Sequence, residues 1–204
     1  MLRNRLMVMV ALVGLCGCGG SVGIGVGVGG GSGSVGGSVG VSTDVGGRSS
    51  SSQMTIVMHK IDASGVGAEI GTLMLADSDR GLRVEAALNG LTPGDHGFHL
   101  HEKGSCDAGE KEGKMAAGIA AGGHFDPGAT GKHLGPEGAG HKGDLPALHV
   151  DASGNATGIV FAPHLKVADL YGKSFMIHAG GDNYSDQPMP LGGGGARIAC
   201  GTVN

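Results

Sequence analysis

From about residue 54 onward, apolar and polar residues alternate in short runs, and Gly, Pro, Asn or Asp separate one run from the next. In the clearest run, 82–88, one face carries Leu82, Val84, Ala86 and Leu88. Similar runs lie near 55–61, 66–76, 97–101, 148–152, 157–162, 174–178 and 196–200. Side chains alternate across a β-strand, so each run predicts a strand. No run keeps a helical stripe, and the sequence predicts an all-β antiparallel sandwich or barrel.

Two connections in this pattern are far longer than hairpin turns. One spans about 45 residues between His101 and Leu148, and the other about 17 residues between His178 and Ala196, whereas most loops in compact domains are much shorter. Loops of this length usually carry function. We therefore expect the chemistry of the protein to involve these two loops.

The first 17 residues have the pattern of an export signal. Arg3 and Arg5 precede the apolar run 6–13, which is too short for a permanent membrane span. The following residues, Leu-Cys-Gly-Cys, resemble the lipobox of bacterial lipoproteins, which predicts lipidation of Cys18 and cleavage just before it. Soluble export without lipid and an uncleaved amphipathic anchor are the alternatives.

Residues 18–52 are predicted to be a flexible tether. They consist mostly of Gly, Ser and Val with very little charge, and such a chain has a root-mean-square reach of roughly 30 Å. A strand is the competing interpretation of the alternating Val-Gly pairs, but Gly at every second position makes a strand entropically costly. The remaining residues, 53–204, form one domain that is large enough to bury its own core.

Composition and charge exclude several functions. The chain has 45 Gly but no Gly-x-y period, so it is not collagen. It has no Trp, four Phe and two Tyr, too few aromatic side chains for a base-stacking surface. Its net charge is −4, and residues 51–204 hold eleven Lys and Arg against seventeen Asp and Glu. An acidic domain of this kind is not expected to bind nucleic acid.

The four cysteines are expected to have different fates. Cys16 leaves with the signal and Cys18 carries lipid, which leaves Cys106 and Cys200 as one pair in an oxidising compartment. The sequence has no CxxC metal motif. We therefore predict one disulfide, between Cys106 and Cys200.

The ten histidines carry the candidate chemistry. His99 and His101 lie two residues apart in a predicted strand and point to one face, which makes half of a planar nitrogen site. An exposed histidine pair is the alternative interpretation. The long loops and strand ends add further donors: His124, His133, His141, Asp144 and His178. A planar nitrogen set suits copper(II), whereas a tetrahedral set of histidine and carboxylate suits zinc.

Several motifs in this order resemble the copper,zinc superoxide dismutase family in its bacterial periplasmic branch, over about 54–204. They are GFHLHEKGSC, AGGHFDP, KHLGPEGAGHKGDLP, IHAGGDNYSDQP and PLGGGGARIACG. The resemblance implies an eight-stranded Greek-key β-barrel or sandwich. It implies one copper per subunit on His99, His101, His124 and His178. It implies one zinc per subunit on His124, His133, His141 and Asp144, so that His124 bridges the two metals.

The same resemblance implies roles beyond the ligands. Asp182 matches a carboxylate that accepts hydrogen bonds from one copper histidine and one zinc histidine. Arg197 matches the cation that guides and holds the substrate anion beside the copper. Cys106 and Cys200 match the family disulfide. The implied reaction is the dismutation of superoxide to dioxygen and hydrogen peroxide by copper redox cycling, with His124 and Arg197 as the catalytic residues.

The implied setting is the periplasm, with the membrane reached only through a lipid on Cys18. The sequence leaves a homodimer open, and a periplasmic copper and zinc binding or delivery protein without turnover is the alternative function. Because the domain is acidic, attraction of superoxide must be local, and three lysines on the long loop are candidates to assist Arg197: Lys103, Lys111 and Lys114. Lys142 departs from the branch, which more usually has an apolar residue there.

Overall fold

The computed structural model describes residues 53–204. The predicted signal 1–17, the lipidation site Cys18 and the tether 18–52 lie outside the described residues. No helix in 53–204 is long and apolar enough to cross a membrane.

The described residues form eleven strands and three single 3-10 turns. The strands are β1 Gln53–Asp62, β2 Gly65–Ser78, β3 Gly81–Leu88, β4 Gly94–His96, β5 Phe98–His101, β6 Gly109–Lys111, β7 Lys114–Ala116, β8 Leu148–Val150, β9 Ala156–Ala162, β10 Lys173–His178 and β11 Arg197–Val203. The 3-10 turns are Ile119–Ala121, Val167–Asp169 and Leu191–Gly193. All eight predicted strands are present, so the all-β prediction is confirmed. The sequence pattern missed β4, β6 and β7, which have three residues each.

Seven strands form one curled antiparallel sheet in the order β5-β10-β11-β1-β2-β3-β9. Strand β4 continues into β5 past Gly97 and pairs with β8, and β8 is joined to β9 by a short turn. The two edges of the curled sheet are therefore linked through β4 and β8. Strands β6 and β7 form a separate hairpin on the first long loop.

The core lies inside the curl. Leu82, Val84, Ala86 and Leu88 are all buried, as their alternation predicts. The Phe98 ring from β5 stacks on a second ring from the neighbouring strand β10, with 5.6 Å between the ring centres.

Strand β5 is buried on both faces, and this feature positions the functional site. Phe98 and Leu100 point into the core, as predicted, but His99 and His101 are also 0% exposed. The loop 102–147 folds back over the histidine face and forms isolated β-bridges with it, from His99 to Asp144 and from His101 to His124. The histidine face of β5, a strand at the edge of the sheet, is therefore covered by the loop and forms one wall of a buried site.

The predicted disulfide between Cys106 and Cys200 is confirmed, with their Cα atoms 5.7 Å apart. It fixes the start of the loop 102–147 to β11. Closing a loop of 94 residues stabilises the fold by about 4–5 kcal/mol in the chain-entropy model.

Candidate metal centre

Four buried histidines converge beside β5, and we refer to them as the strand group: His99, His101, His124 and His178. One candidate ligand atom from each lies within 4.8 Å of those from the other three. His99 and His101 come from β5, and His178 ends β10, which pairs with β5 in the sheet. His124 comes from the long loop, where its bridge to His101 holds it against the strand. Sheet register therefore fixes three of the four rings.

Each ring of the strand group has one nitrogen that is already hydrogen-bonded. His101 Nδ1 lies 3.0 Å from the carbonyl oxygen of Gly122, and His178 Nδ1 lies 3.3 Å from that of Gly195. The other pairs are His99 Nε2 with Asp182 Oδ2 at 2.7 Å and His124 Nδ1 with Asp144 Oδ1 at 2.9 Å. These contacts fix the orientation of all four rings.

The second nitrogen of each ring is buried and has no hydrogen-bond partner. These atoms are His99 Nδ1, His101 Nε2, His124 Nε2 and His178 Nε2. A buried polar atom without a partner is destabilising, so several of them in one place need an explanation. A metal ion coordinated by these lone pairs provides one, because histidines that bind metals commonly donate their other N–H to a carboxylate or a carbonyl.

The protonation of the strand group favours metal binding. Burial lowers the pKa of His124 to about 4 and that of His178 to about 3. Burial also lowers the pKa of His99, and it holds the pKa of His101 well below its usual range. All four rings are therefore neutral at neutral pH, which is the form that coordinates metals.

A second cluster surrounds Asp144, and we refer to it as the loop group: His124, His133, His141 and Asp144. All four residues lie on the loop 102–147, and the three Nδ1 atoms lie 2.9, 3.0 and 3.3 Å from the Asp144 carboxylate oxygens. The set around Asp144 whose candidate ligand atoms all lie within 4.8 Å of one another contains His99 in place of His141, together with His124 and His133. His141 is buried and lies beside that set, with its ring centre 5.3 Å from that of His124.

The loop group has a different charge state from the strand group. Burial by itself lowers the pKa of His133, but the carboxylates of Asp144 and Asp182 outweigh it and raise the pKa to about 9. Burial raises the pKa of the Asp144 carboxyl, but hydrogen bonds with His124 and His133 hold it well below its usual range. Without metal, His133 is therefore a cation beside two carboxylates.

Asp182 connects the two groups. Its Oδ2 lies 2.7 Å from His99 Nε2, and its Oδ1 lies 2.8 Å from His133 Nε2. The side chains of all three residues are fully buried. Hydrogen bonds with these two histidines outweigh the effect of burial and hold the pKa of Asp182 well below its usual range. This carboxylate therefore orients one ring of each group.

Two contacts that the sequence did not predict tie the second long loop to the first. Asp186 Oδ2 accepts the backbone N–H of His133 at 2.9 Å, and Tyr184 Oη accepts that of Ala147 at 3.1 Å. Both residues lie in the motif IHAGGDNYSDQP, but the motif alone does not reveal their partners. The loop that carries Asp182 is thus fixed against the loop group.

His96 supports the strand group without joining it. It is 2% exposed, and its two ring nitrogens lie 2.6 Å from the carbonyl oxygen of His178 and 2.8 Å from that of Thr92. Both ring nitrogens lie against backbone carbonyl oxygens, so we do not count His96 among the candidate metal ligands. It holds the end of β10 in place.

An open funnel of about 400 Å³ leads from the surface to the strand group. His124, His178, Arg197 and Lys111 contribute to its lining, together with apolar side chains, whereas Lys103 and Lys114 do not line it. The Arg197 guanidinium donates hydrogen bonds to backbone carbonyls of the long loop, one of them to Gly122 at 2.6 Å. The register of β10 with β11 places this arginine opposite His178. The funnel therefore presents a fixed cation beside the two histidines.

The sequence from 69 to 203 matches the family described as copper/zinc superoxide dismutase. The chain belongs to this family. The Cu-Zn superoxide dismutase of Brucella abortus is 53% identical over 150 residues, which cover 73% of this chain and 87% of that protein. The Escherichia coli K12 protein of the same name is 54% identical over 149 residues, which cover 72% and 86%.

Solved structures give the same result for the fold. The Cu/Zn superoxide dismutase of Brucella abortus superposes with a TM-score of 0.73 at 52% identity, covering 74% of this chain and 99% of that one. A monomeric copper, zinc superoxide dismutase from Salmonella enterica gives 0.67 at 52% identity, with 74% and 99% covered. The predicted family and Greek-key β-barrel fold are both confirmed.

Proposed function

We propose that this protein dismutates superoxide at a copper ion held by the strand group, beside a zinc ion held by the loop group. The observation that carries the proposal is the set of buried ring nitrogens without partners, which converge while their opposite nitrogens are all hydrogen-bonded. Membership of the family, with relatives more than 50% identical, supports the reaction.

The copper ligands in this proposal are His99 Nδ1 and the Nε2 atoms of His101, His124 and His178. An all-nitrogen set without sulfur suits copper(II). When bound, copper supplies one-electron redox chemistry that converts two superoxide anions and two protons into dioxygen and hydrogen peroxide. The funnel leaves the side of His124 and His178 accessible to a small anion.

The zinc ligands are the Nδ1 atoms of His124, His133 and His141 with a carboxylate oxygen of Asp144. Three imidazoles and one carboxylate suit the tetrahedral preference of zinc, which has no redox chemistry of its own. A ligand atom of His99 also lies within 4.8 Å of one of Asp144, but His99 Nε2 is bonded to Asp182. We therefore assign its remaining nitrogen to the strand group and assign His141 to zinc.

His124 belongs to both groups because its two nitrogens face opposite ways. Its Nδ1 lies 2.9 Å from Asp144 Oδ1, whereas its Nε2 has no partner and faces the strand group. We assign to Nε2 the role of holding a proton between the two halves of the cycle and delivering it to the reduced substrate at the base of the funnel. The loop group keeps the ring in place while that proton moves.

Arg197 attracts and positions the anion. Its guanidinium is held by backbone carbonyls, so its charge stays at the base of the funnel in a domain whose net charge repels superoxide. Lys111 lines the same funnel and is our candidate for a second guiding cation, ahead of Lys103 and Lys114.

We further propose a periplasmic location, with a lipid anchor on Cys18, on the basis of the N-terminal sequence pattern. Labelled fatty acid incorporated by the parent chain but not by a Cys18→Ser variant supports the anchor, and unchanged labelling contradicts it. For the oligomeric state we propose a homodimer, and the alternative is a monomer, which is the state named for the Salmonella enterica relative. Sedimentation velocity of the purified protein distinguishes the two.

The reaction is tested by metal analysis together with a superoxide dismutation assay on the purified protein. We expect about one copper and one zinc per chain, and turnover that disappears when copper is removed. Both metals present without turnover would instead indicate a copper and zinc binding or delivery protein.

A further inference from the structure

Lys142 lies between two members of the loop group, His141 and Asp144. The backbone N–H of Asp144 donates to the carbonyl oxygen of His141, so Lys142 and Gly143 are the two central residues of a turn between two proposed zinc ligands. Gly143 has no side chain, so of the two central residues Lys142 is the one whose side chain can reach other parts of the fold.

The Lys142 side chain ends on a fixed carboxylate. Its Nζ lies 2.7 Å from Asp169 Oδ1, and the two side chains are 31% and 25% exposed. The other oxygen, Asp169 Oδ2, accepts the backbone N–H of Lys166 at 2.9 Å. Asp169 therefore caps its own 3-10 turn and holds Lys142 at the same time.

The 3-10 turn Val167–Asp169 is itself attached to the sheet. Asp77 Oδ1 accepts the backbone N–H of Val167 at 2.9 Å, and Lys166 Nζ donates to the carbonyl of Ser78 at 2.8 Å. Asp77 and Ser78 lie at the end of β2. The contacts of Lys142 thus connect the turn between His141 and Asp144 to the rigid sheet.

We propose that Lys142 is a positioning residue for zinc: its ion pair with Asp169 holds the turn between His141 and Asp144 and slows release of the metal. This inference rests on the proposed zinc set. The strand group has no equivalent need, because β5 and β10 hold its histidines by sheet pairing.

The expected size of the effect is modest. Gly143 also holds the turn, since its N–H donates to Phe125 and its carbonyl accepts from Leu100, each at 2.8 Å. A partly exposed ion pair typically changes an equilibrium constant or a rate by roughly two- to fivefold, and we expect the rate of zinc release to change by that factor. Since part of the pair is exposed to solvent, raising the ionic strength should shrink the effect.

The protein contains a matched control for this pair. Arg83 Nη2 and Glu85 Oε2 are also 2.7 Å apart, with side chains 29% and 35% exposed, but they lie on β3, away from the centre. The two ion pairs share length and exposure, and they differ in whether one partner is joined to metal ligands.

The experiment measures zinc transfer from the purified metal-loaded protein to an excess of a coloured chelator. The variants are Lys142→Met, which keeps the apolar stem, Asp169→Asn, which keeps an acceptor for the Lys166 N–H, and the double variant. Lys142→Arg tests rescue, and Arg83→Met and Glu85→Gln are the controls. Cobalt(II) in place of zinc reports the geometry of the site through its visible spectrum.

We expect each single variant to speed zinc release two- to fivefold at low salt, with the double variant no faster than either single one. Lys142→Arg should restore the parent rate, and both the controls and copper release should remain unchanged. Parent-like zinc release in both single variants, or equal acceleration in the controls, would overturn the role of Lys142. Failure of the parent protein to bind zinc would instead overturn the proposed zinc set itself.

Discussion

The strand group and the loop group share His124 but are built by different means. His99, His101 and His178 are placed by the pairing of β5 with β10, and burial keeps their rings neutral. His133, His141 and Asp144 lie outside the strands, and carboxylates rather than sheet register hold them together. One half of the centre therefore depends on backbone geometry, whereas the other depends on charge.

The largest expected effect is on the acid stability of the metal-free protein. The folded-state pKa values of His124 and His178, about 4 and about 3, lie below the unfolded value near 6.5. Unfolded chains then bind more protons, so stability that is present above pH 6.5 is lost as the pH falls toward 4, by a few kcal/mol in all.

His133 should give stability the opposite dependence on pH. Its pKa is raised to about 9, so its contribution is complete below pH 6.5 and is lost as the pH rises through 9. Denaturant unfolding of the metal-free protein between pH 4 and 10 should therefore show maximum stability near pH 6.5. A His133→Asn variant should lose the alkaline decline and keep the acid one, and an alkaline decline that persists in it would contradict the assignment.

Removal of Asp182 should lower the zinc affinity of the loop group more than the copper affinity of the strand group. Asp182→Ala leaves His99 and His133 without their shared acceptor, and losses of roughly 10- to 100-fold in metal affinity are typical for such partners. Zinc should suffer more than copper, because strand pairing still holds His99. Competitive chelation of both metals measures this, with Asp95→Ala, an exposed carboxylate paired with His149, as the control. Equal losses for both metals would mean that the two halves are equally dependent on Asp182.

Proton release on metal binding should also differ between the halves. At pH 7, and with each metal added alone to the metal-free protein, His133 is protonated and must lose about one proton to coordinate zinc, whereas the strand group coordinates copper through lone pairs of neutral rings. His124 loses its remaining N–H proton only when both of its nitrogens bind metal. Calorimetric titrations in buffers of different ionisation enthalpy count these protons. Similar proton release for zinc and copper would contradict the difference in charge state.

The smallest effect concerns the funnel, which serves the strand group alone. Arg197→Ala should slow turnover several-fold, as expected for loss of one guiding charge, and should flatten its dependence on ionic strength, while the content of both metals stays unchanged. Lys111→Gln should give a weaker version of the same change, and Lys114→Gln, outside the funnel, none. If turnover of the Arg197 variant and of the parent protein depended equally on ionic strength, residues other than Arg197 would attract the superoxide anion.

Most of the strand group could be predicted from the sequence. Alternation in GFHLH placed His99 and His101 on one face and Phe98 and Leu100 in the core, because a strand has a fixed period. The resemblance to the family named the donors of both groups. The sequence could not show that β5 is buried on both faces, because that burial depends on where a distant loop folds.

The contacts that support the loop half were not predictable. Lys142 looked like a departure from an apolar position, and its partner Asp169 lies 27 residues away in a turn with no distinctive pattern. Asp186 likewise bonds to the backbone of His133 across 53 residues. Such contacts follow from tertiary placement of loops, for which no local periodicity exists.

The burial of the histidines at the base of the funnel limits which molecules can touch the centre. His99 and His101 are 0% exposed, and His124 and His178 are 6% exposed. A diatomic anion can reach the base of the funnel, whereas a redox protein must stop at its rim. We therefore expect superoxide and similarly small molecules to reach the centre directly, whereas a macromolecular electron donor is held at a distance from it.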